Sequence, residues 1–363
     1  MTEQRRALAQ ARRVVVKIGS RALSDGGDLA KRVAAEIAAL SNQKRSFVLV
    51  SSGAISIGCE RLGYKSRPRE MARLQAAAAA GQSVLMHRYE QAFAAVHMTV
   101  AQVLLTHADL ADRLRVNNAR EALAALLDAG AVPIVNENDT VATEEIRFGD
   151  NDQLAAMVAP LVGADLLVLL TDVEGVLDAR GRRIAVMSDD ADIGRLENRQ
   201  GVGSGGMTSK LDAAKKASHA GAQVVIAPAA REGVLGEVLA GHDVGTLFPR
   251  VGRALRARKH WIAYTLRPRG TVLLDEGAVG AVRGGRSSLL PIGVLGVRGQ
   301  FNPGDSVRLV APDGTEVGRG LTRVGALDVA RAAGLKGKDL DLLFGTGGHD
   351  LVIVHKDDLV IVG

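Results

Sequence analysis

Short apolar stretches alternate with longer helical patterns along residues 14–248, and this alternation restricts the fold more than any other feature. Six stretches read as strands, most of them apolar throughout: 14–18, 47–50, 99–105, 132–135, 166–170 and 223–226. Between them, Ala and Leu recur at helical spacing near 28–42, 70–95, 109–129, 151–161 and 208–220. Strands without a polar side are buried on both faces. The pattern therefore predicts a three-layer α/β/α domain with helices on both sides of a mainly parallel sheet.

The chain of 363 residues is longer than one hydrophobic core usually serves, so two domains are expected. Periodicity fades near the basic stretch around Arg253 and Arg256, which suggests a linker over 251–265 between domains at 1–250 and 266–363. Short apolar runs follow at 271–274, 289–297, 306–309 and 351–354, separated by Gly- and Pro-containing turns, with one helix expected near 326–333. The second domain is thus predicted to be small and mostly β.

Composition excludes several classes of protein. With 47% hydrophobic and 24% charged residues, the chain has the balance of a globular protein rather than of a disordered one. No apolar stretch approaches the ~20 residues that a membrane span needs. Cys59 is the only cysteine, so no internal disulfide exists, and no apolar segment of a secretory signal follows the N-terminal arginines. We expect a cytoplasmic protein.

Most of the net charge of +6 falls in the last third of the chain, where residues 251–363 hold 16 basic and 11 acidic side chains. An RNA-binding function of the tail is therefore one alternative. The aromatic residues of the tail, Trp261, Tyr264, Phe301 and Phe344, are scattered and do not suggest a stacking platform. RNA binding is accordingly the secondary interpretation.

Polar residues that follow the predicted strands are the candidates for chemistry, because ligands of parallel sheets bind beyond the carboxyl ends of the strands. Lys17 is embedded in an apolar strand, which is costly unless the ammonium group meets an anion. Ser52 lies in the run 51–54 before a probable helix, where it could bind an anion or cap the helix. Thr171 and Asp172 end another strand and fit either a nucleotide-binding edge or ordinary strand termination. A β-hairpin is expected over 173–183.

Seven carboxylate and amide side chains occur in two short runs, 136–139 and 150–152. Asp139, Asn151 and Asp152 belong to this set. Helix capping and turns explain one or two such residues, but not seven. The cluster fits recognition of an ammonium group, a metal or a polar substrate.

The glycine-rich run 201–210 precedes a predicted helix and ends in Lys210. Its backbone N–H groups suit a phosphate cradle, with the lysine as counter-charge; the alternative is a flexible surface loop. Residues 201–206 also satisfy G-x-G-x-x-G, but no strand is predicted before them, so a dinucleotide site of an oxidoreductase is disfavoured, and the run does not match the common P-loop. The eight scattered histidines weaken zinc and Ser-His-Asp alternatives. Two lysines, a glycine cradle and an acidic cluster together indicate phosphoryl transfer.

These motifs resemble the amino acid kinase family, and within it the kinases that phosphorylate glutamate and carry a C-terminal PUA domain. The resemblance spans nearly the whole chain. It rests on VKIGS at 16–20, SSGAI at 51–55, AAAGQ at 78–82, NARE at 118–121, VPIVNENDTVATEEI at 132–146, FGDND at 148–152, LLTDVEG at 169–175, GSGGMTSK at 203–210, LDEGA at 274–278 and RGGRSSLLPIGV at 283–294.

The resemblance implies transfer of the γ-phosphoryl group of ATP to the side-chain carboxylate of L-glutamate, the first step of proline synthesis. It implies catalytic roles for Lys17, Lys210 and Asp152, with Asp152 orienting the two lysines, and binding of glutamate by Ser52, Asp139 and Asn151. Residues expected to bind ATP are Lys17, Thr171, Asp172, Ser204, Gly205, Gly206, Met207, Thr208, Ser209 and Lys210. Mg²⁺ is expected to arrive with ATP rather than in a dedicated protein site. Feedback binding of L-proline and a homo-oligomer are further family expectations.

Overall fold

The computed structural model describes residues 3–20, 28–142, 151–187, 205–251, 257–285 and 287–361. The chain divides into two compact units, Met1–Ala254 and Leu255–Gly363. Each unit has its own sheet and its own hydrophobic core.

A seven-stranded sheet forms the centre of the described part of the first unit. Its strands are β1 (Arg13–Ile18), β2 (Ser46–Val50), β3 (Val100–Leu105), β4 (Val132–Glu137), β5 (Leu166–Thr171), β6 (Gln223–Pro228) and β7 (Thr246–Phe248). Their order across the sheet is β3-β4-β2-β1-β5-β6-β7. Strands β1 to β6 run parallel, which confirms the predicted sheet. The sequence does not predict β7, which pairs antiparallel with β6.

The helices of this unit are α1 (Glu3–Arg6), α2 (Asp28–Ser41), α3 (Ala54–Arg61), α4 (Met71–Ala94), α5 (His107–Ala111), α6 (Arg113–Asp128), α7 (Asn151–Leu161), α8 (Gly205–His219) and α9 (Val234–Leu239). Consecutive strand residues enter opposite layers: Val14 and Val16 pack with α2, α4 and α9, whereas Val15 packs with α6, α7 and α8. All three valines are fully buried. The predicted three-layer α/β/α architecture is therefore confirmed.

Helices α3 and α4 approach each other through glycine. A Cβ added at Gly58 of α3 would lie 1.7 Å from the Ala77 carbonyl oxygen, and one added at Gly81 of α4 would lie 1.8 Å from the Ala54 carbonyl oxygen. Only hydrogen fits at either position, since both obstacles are backbone atoms. The contact holds α4 against the segment that follows β2.

Arg5 of α1 connects the beginning of the described chain to the segment before β7. Its guanidinium group donates to the carbonyl oxygens of Ala185, His242, Val244 and Gly245 at 2.8–2.9 Å. It also lies 3.1 Å from Asp243 Oδ1. Burial lowers the pKa of Arg5, and the charge of Asp243 opposes this shift. A buried guanidinium group is tolerated here because carbonyl oxygens surround it.

The second unit contains a five-stranded mixed sheet in its described part. Its strands are β8 (Gly270–Leu274), β9 (Val294–Gly299), β10 (Ser306–Val310), β11 (Glu316–Thr322) and β12 (Val354–Ile361), in the order β12-β11-β10-β8-β9. Only the pair β8–β10 is parallel among these strands. Its helices are α10 (Ala257–His260), α11 (Glu276–Arg283), α12 (Ala326–Ala332) and α13 (Lys338–Phe344).

The small, mostly β character of the second unit and its helix near 326–333 are confirmed. The sequence does not predict β11, α11 or α13. The apolar run 351–354 precedes the last strand rather than forming it, because β12 begins at Val354.

Residues 257–265, which lie in the predicted linker, pack within the second unit. Helix α10 is followed by a π-helical turn, Trp261–Thr265, in which Ile262 and Ala263 are buried against Val360 of β12. Trp261 and Tyr264 pack against the same cluster, and Phe301 lies in the core of the unit. These three aromatic rings are therefore used in packing. In the parts of the chain that the structure describes, no helix is both long and apolar enough to cross a bilayer.

Candidate active site

Strands β4, β2, β1 and β5 lie side by side, and the residues predicted from the sequence follow their carboxyl ends. Lys17 of β1 pairs in register with Val50 of β2 and Leu169 of β5. Ser51 directly follows β2, and its N–H donates to the carbonyl oxygen of Val135 in β4 (2.8 Å). Polar groups from distant parts of the sequence thus meet at one edge of the sheet, as a parallel sheet requires.

Lys17 and Lys210 meet at a single carboxylate. Lys17 Nζ lies 2.7 Å from Asp152 Oδ1, and Lys210 Nζ lies 2.9 Å from Asp152 Oδ2. The side chains come from β1, α8 and the first turn of α7, and none exposes more than 12% of its surface. Pairing offsets the cost of burying these charges. Two ammonium groups and one carboxylate carry a net positive charge, which suits an incoming anion.

The backbone around Lys17 is open because glycines follow β1 and β2. A Cβ added at Gly19 would lie 3.9 Å from Lys17 Nζ, so the loop after β1 runs close to the ammonium group. Gly53 has φ +102°, and a Cβ added there would lie 3.6 Å from Ser20 Cα of that loop. Gly53, not Ser51 or Ser52, is the N-cap of α3, and no side chain caps this helix end. Helix capping therefore does not explain the two serines.

Part of the predicted glycine-rich cradle is helical. Ser204 lies outside the described residues, while α8 begins at Gly205, three residues before the predicted helix start. Residues 206–209 consequently lie in the first turns of α8 rather than in a loop, and Lys210 Nζ also donates to the Gly206 carbonyl oxygen (3.3 Å). The first N–H groups of a helix lack intrahelical acceptors, and together with the helix dipole they favour a phosphate.

Asn151, the first residue of α7, is buried and linked to the ends of β2 and β4. Its Nδ2 donates to the Ser51 carbonyl oxygen and to Asn136 Oδ1, the latter at 2.8 Å. Asn136 Nδ2 donates in turn to Gln82 Oε1 of α4 (2.8 Å). These bonds use both hydrogens of the Asn151 amide, so its carbonyl oxygen is the acceptor it can offer to a substrate.

Ser52 and Asp139 lie at the same edge. The hydroxyl oxygen of Ser52 is shielded from solvent and has no hydrogen-bond partner among the described residues. Burying a hydroxyl group without a partner is unfavourable unless a ligand supplies the missing hydrogen bond. Asp139 stands two residues beyond β4; its partial burial raises its pKa to about 6, and the positive charge of Arg67 opposes the rise. A partly buried carboxylate of this kind suits a cationic group such as a substrate ammonium.

Thr171 ends β5 on the other side of β1. Its hydroxyl donates to Asp172 Oδ1 (3.2 Å), and its carbonyl oxygen accepts the N–H of Ala229 after β6 (2.7 Å). The hairpin predicted after it is confirmed by the antiparallel bridge between Leu177 and Arg183.

The structure therefore brings Lys17, Lys210 and Asp152 into contact, and joins Asn151 to the residue next to Ser52. No role was predicted for Gln82, the last residue of the AAAGQ motif, or for Tyr89 of α4. Both hold this edge: Gln82 through Asn136, and Tyr89 through a 2.9 Å hydrogen bond with Ser51 Oγ. A signal was present, because these two residues are spaced seven apart on an alanine-rich helix and therefore share one face.

Comparisons with known proteins match both units of the chain. The model of the amino acid kinase family matches residues 12–228, and that of the PUA domain matches residues 270–342. A glutamate 5-kinase of Pelobacter propionicus is 44% identical over 99% of this chain and 100% of its own length. A glutamate 5-kinase of Gloeobacter violaceus is 47% identical over 96% of this chain and 98% of its own length.

Among solved structures, N-acetylglutamate synthase from Neisseria gonorrhoeae, complexed with coenzyme A and N-acetyl-glutamate, superposes with a TM-score of 0.52. It is 21% identical, and the match covers 69% of this chain and 63% of that chain. This likeness concerns the fold alone. Because the family model spans more than half of the sequence and full-length relatives share 44–47% of its residues, the chain belongs to the amino acid kinase family and carries a PUA domain.

Proposed function

We propose that this chain is a phosphotransferase that moves the γ-phosphoryl group of ATP to the side-chain carboxylate of L-glutamate. The product is L-glutamyl 5-phosphate, and the reaction is the first step of proline synthesis. The observation that carries the proposal is the strand order β4-β2-β1-β5. Asp139 and Ser52 follow β4 and β2, Thr171 ends β5, and Lys17 lies on β1 between the two sides.

In this proposal, the two substrates bind on opposite sides of β1, with positive charge between them. Glutamate binds over β4 and β2, with its ammonium group near Asp139 and polar contacts from Ser52 and Asn151. The nucleotide binds over β5, near Thr171 and Asp172, with its phosphates toward the first turn of α8. Lys17 and Lys210 then lie where the phosphoryl group passes from one substrate to the other.

The main barrier in this reaction is electrostatic. A glutamate side chain has a reference pKa of ~4.3, so the nucleophile is already an anion at neutral pH and needs no general base. Its approach to a polyphosphate brings two negative species together. The two ammonium groups and the amides of α8 act as fixed counter-charges that need little reorganisation, which is the most effective form of transition-state stabilisation. Asp152 holds both ammonium groups in place with one carboxylate.

The acidic side chains of the site bear on how a metal ion would bind with the nucleotide. The described residues contain no group of three or more His, Cys, Asp or Glu side chains arranged to hold a metal ion, and each oxygen of Asp152 faces an ammonium group. We propose that Mg²⁺ would arrive with ATP, because in kinases this ion is held by substrate phosphates together with one or two carboxylates. When bound there, it supplies further neutralisation of the phosphate charge.

A coupled ADP-release assay across glutamate, aspartate, N-acetylglutamate and carbamate tests the proposal. We expect turnover with glutamate at least tenfold above turnover with the other three compounds. The carbon chain of glutamate sets the distance between its ammonium group and its reacting carboxylate. Hydroxylamine in the same assay should trap the acyl phosphate as a hydroxamate. ADP release without hydroxamate, or equal rates with carbamate, would contradict the proposal.

The proposal extends to a homo-oligomer and to feedback binding of L-proline, as the family resemblance implies. Size-exclusion chromatography with light scattering tests the first. For the second, inhibition by proline that weakens as glutamate rises is expected, and its absence at millimolar proline would contradict it.

A further inference from the structure

Tyr89 is a buried tyrosine whose hydroxyl group serves a purpose other than filling space. The side chain is fully buried in α4, within the apolar cluster that also contains Leu85 and Phe93. A phenylalanine would fill the same volume without requiring a hydrogen-bond partner, whereas a buried hydroxyl group must find one. It finds Ser51 Oγ at 2.9 Å. Burial raises the pKa of Tyr89, so the phenol keeps its proton.

The direction of this hydrogen bond follows from the second bond of Ser51. Ser51 Oγ lies 3.3 Å from the Ser52 carbonyl oxygen, which can only accept. Ser51 therefore donates to Ser52, and Tyr89 donates to Ser51. The result is a short relay of donors from the core helix α4 to the backbone of Ser52.

Ser51 is also hydrogen-bonded to strand β4 and to helix α7. Its N–H donates to Val135 of β4, and its carbonyl oxygen accepts from Asn151 Nδ2. Its hydroxyl group is the remaining polar atom of the residue, and the bond from Tyr89 fixes it. Two residues assigned to glutamate are thus its direct neighbours: Ser52 through the peptide bond and Asn151 through a hydrogen bond.

We propose that the Tyr89 hydroxyl group is a positioning group for glutamate, acting through Ser51 on Ser52 and Asn151. The inference rests on the proposed function, since it needs those two residues to bind the acceptor. It also predicts that loss of the Tyr89 hydroxyl group affects the KM for glutamate but not the KM for ATP. The hydrogen bonds of Tyr89 and Ser51 run to the segment after β2, to β4 and to Asn151 of α7, while Thr171 and Lys210, assigned to the nucleotide, belong to β5 and α8.

Replacing Tyr89 with phenylalanine removes the hydroxyl group and keeps the ring. We expect the Y89F variant to raise the KM for glutamate about fivefold, the effect of one ordinary hydrogen bond, while the KM for ATP changes less than twofold. Ser51→Ala should give a similar rise. The double variant should be no worse than the worse single variant, because both changes break the same bond. Equal shifts in both KM values, or additive effects of the two changes, would overturn the proposal.

Phe93→Leu provides a matched control for stability. Phe93 lies four residues further along α4 in the same cluster and is also fully buried, but it carries no hydroxyl group. This variant should lower Tm at least as much as Tyr89→Phe and leave the ratio of the two KM values unchanged. If it raises the KM for glutamate as much as Y89F does, the effect reflects weakened packing and the positioning role is wrong.

The two failures are distinguishable. If the proposed function is wrong, the parent protein itself shows no glutamate-dependent turnover. If only the role of Tyr89 is wrong, the parent turns over glutamate and Y89F keeps the parent KM. Isothermal titration of glutamate without nucleotide gives a reading independent of turnover, and it should show the same fivefold weakening in Y89F.

Discussion

A buried charge cluster in the first unit contrasts with ion pairs at the surface of the second. In the first unit, Lys17, Lys210 and Asp152 are buried together at the end of a parallel sheet. In the second, the pairs Arg258–Asp358 and His349–Asp341 lie at the surface, with half of the Arg258 and His349 side chains exposed. Exposed pairs contribute little free energy because water screens them. Buried charges are costly to assemble, and a fold that assembles them gains a strong local field for chemistry.

The sharpest test of this contrast removes one cation from each unit. Lys210→Ala should lower kcat by about 100-fold or more, since a group that stabilises developing charge in a dry site is lost. Arg258→Ala, which breaks a surface pair, should leave kcat within twofold. Steady-state kinetics measures kcat for both variants, and circular dichroism checks that they are folded. Near-normal turnover in Lys210→Ala would remove the distinction between the units.

A second contrast concerns glycine. Gly81→Ala should destabilise the first unit by about 2–3 kcal/mol, because the new Cβ meets backbone of α3. Gly280→Ala in α11 has open space around the new Cβ and should be neutral or stabilising by up to about 1 kcal/mol. Denaturant unfolding monitored separately for the two transitions provides the measurement. A Gly81→Ala variant as stable as the parent would mean that α3 and α4 tolerate a wider separation.

The third prediction concerns substrate recognition. Asp139→Ala should raise the KM for glutamate about tenfold or more, as expected for loss of a charged hydrogen bond, with a much smaller effect on the KM for ATP. Asp341→Ala in the second unit serves as the control and should change neither value. Initial rates at varied concentrations of each substrate decide the matter, and equal rises in both KM values for Asp139→Ala would disprove its assignment to glutamate.

The smallest effect is a pH dependence. The pKa of Asp139 is raised to about 6 by burial, whereas the pKa of Asp341 is lowered by its hydrogen bonds with His349. Protonation of Asp139 as pH falls through 6 removes the charge that attracts the ammonium group. We expect kcat/KM for glutamate to be about tenfold lower at pH 5 than on its plateau above pH 7, since kcat/KM reports the free enzyme. A profile that is flat down to pH 5 would exclude this role.

The same group links pH to stability. A raised pKa in the folded state means that the folded chain binds the proton more tightly than the unfolded chain, so this contribution is present below pH 4 and is lost as pH rises through 6. Asp139→Asn should therefore lose less stability than the parent between pH 5 and pH 7. Thermal unfolding over that range provides the comparison.

The contrast between the units also explains what the sequence could predict. The parallel strands of the first unit were recognisable because burial on both faces makes them continuously apolar, as in β5. In the second unit, β11 contains Gly318, Gly320 and partly buried charged residues, so its apolar pattern is weak, and α11 contains two glycines that lower its helix propensity. Tertiary contacts stabilise such elements, and a single sequence does not display those contacts.

Some features of the site could likewise be predicted from the sequence and others could not. The convergence of Lys17, Lys210 and Asp152 follows from one rule, that parallel strands present their carboxyl ends together. The bond between Tyr89 and Ser51 joins residues 38 positions apart, and that between Asn151 and Ser51 joins residues 100 positions apart. Each depends on the rotation of α4 or α7 about its axis, which packing decides. The start of α8 at Gly205 was missed because glycine is a poor helix former.

Arg5 has a consequence for how the first unit is made in the cell. Its carbonyl partners at 242–245 are synthesised 237 to 240 residues later. At 5–20 residues per second, the interval is on the order of ten to fifty seconds. The apolar strand β1 emerges from the ribosome early in that interval. Newly made chains are therefore exposed to chaperones and proteases until β7, the last strand of the sheet, has been synthesised.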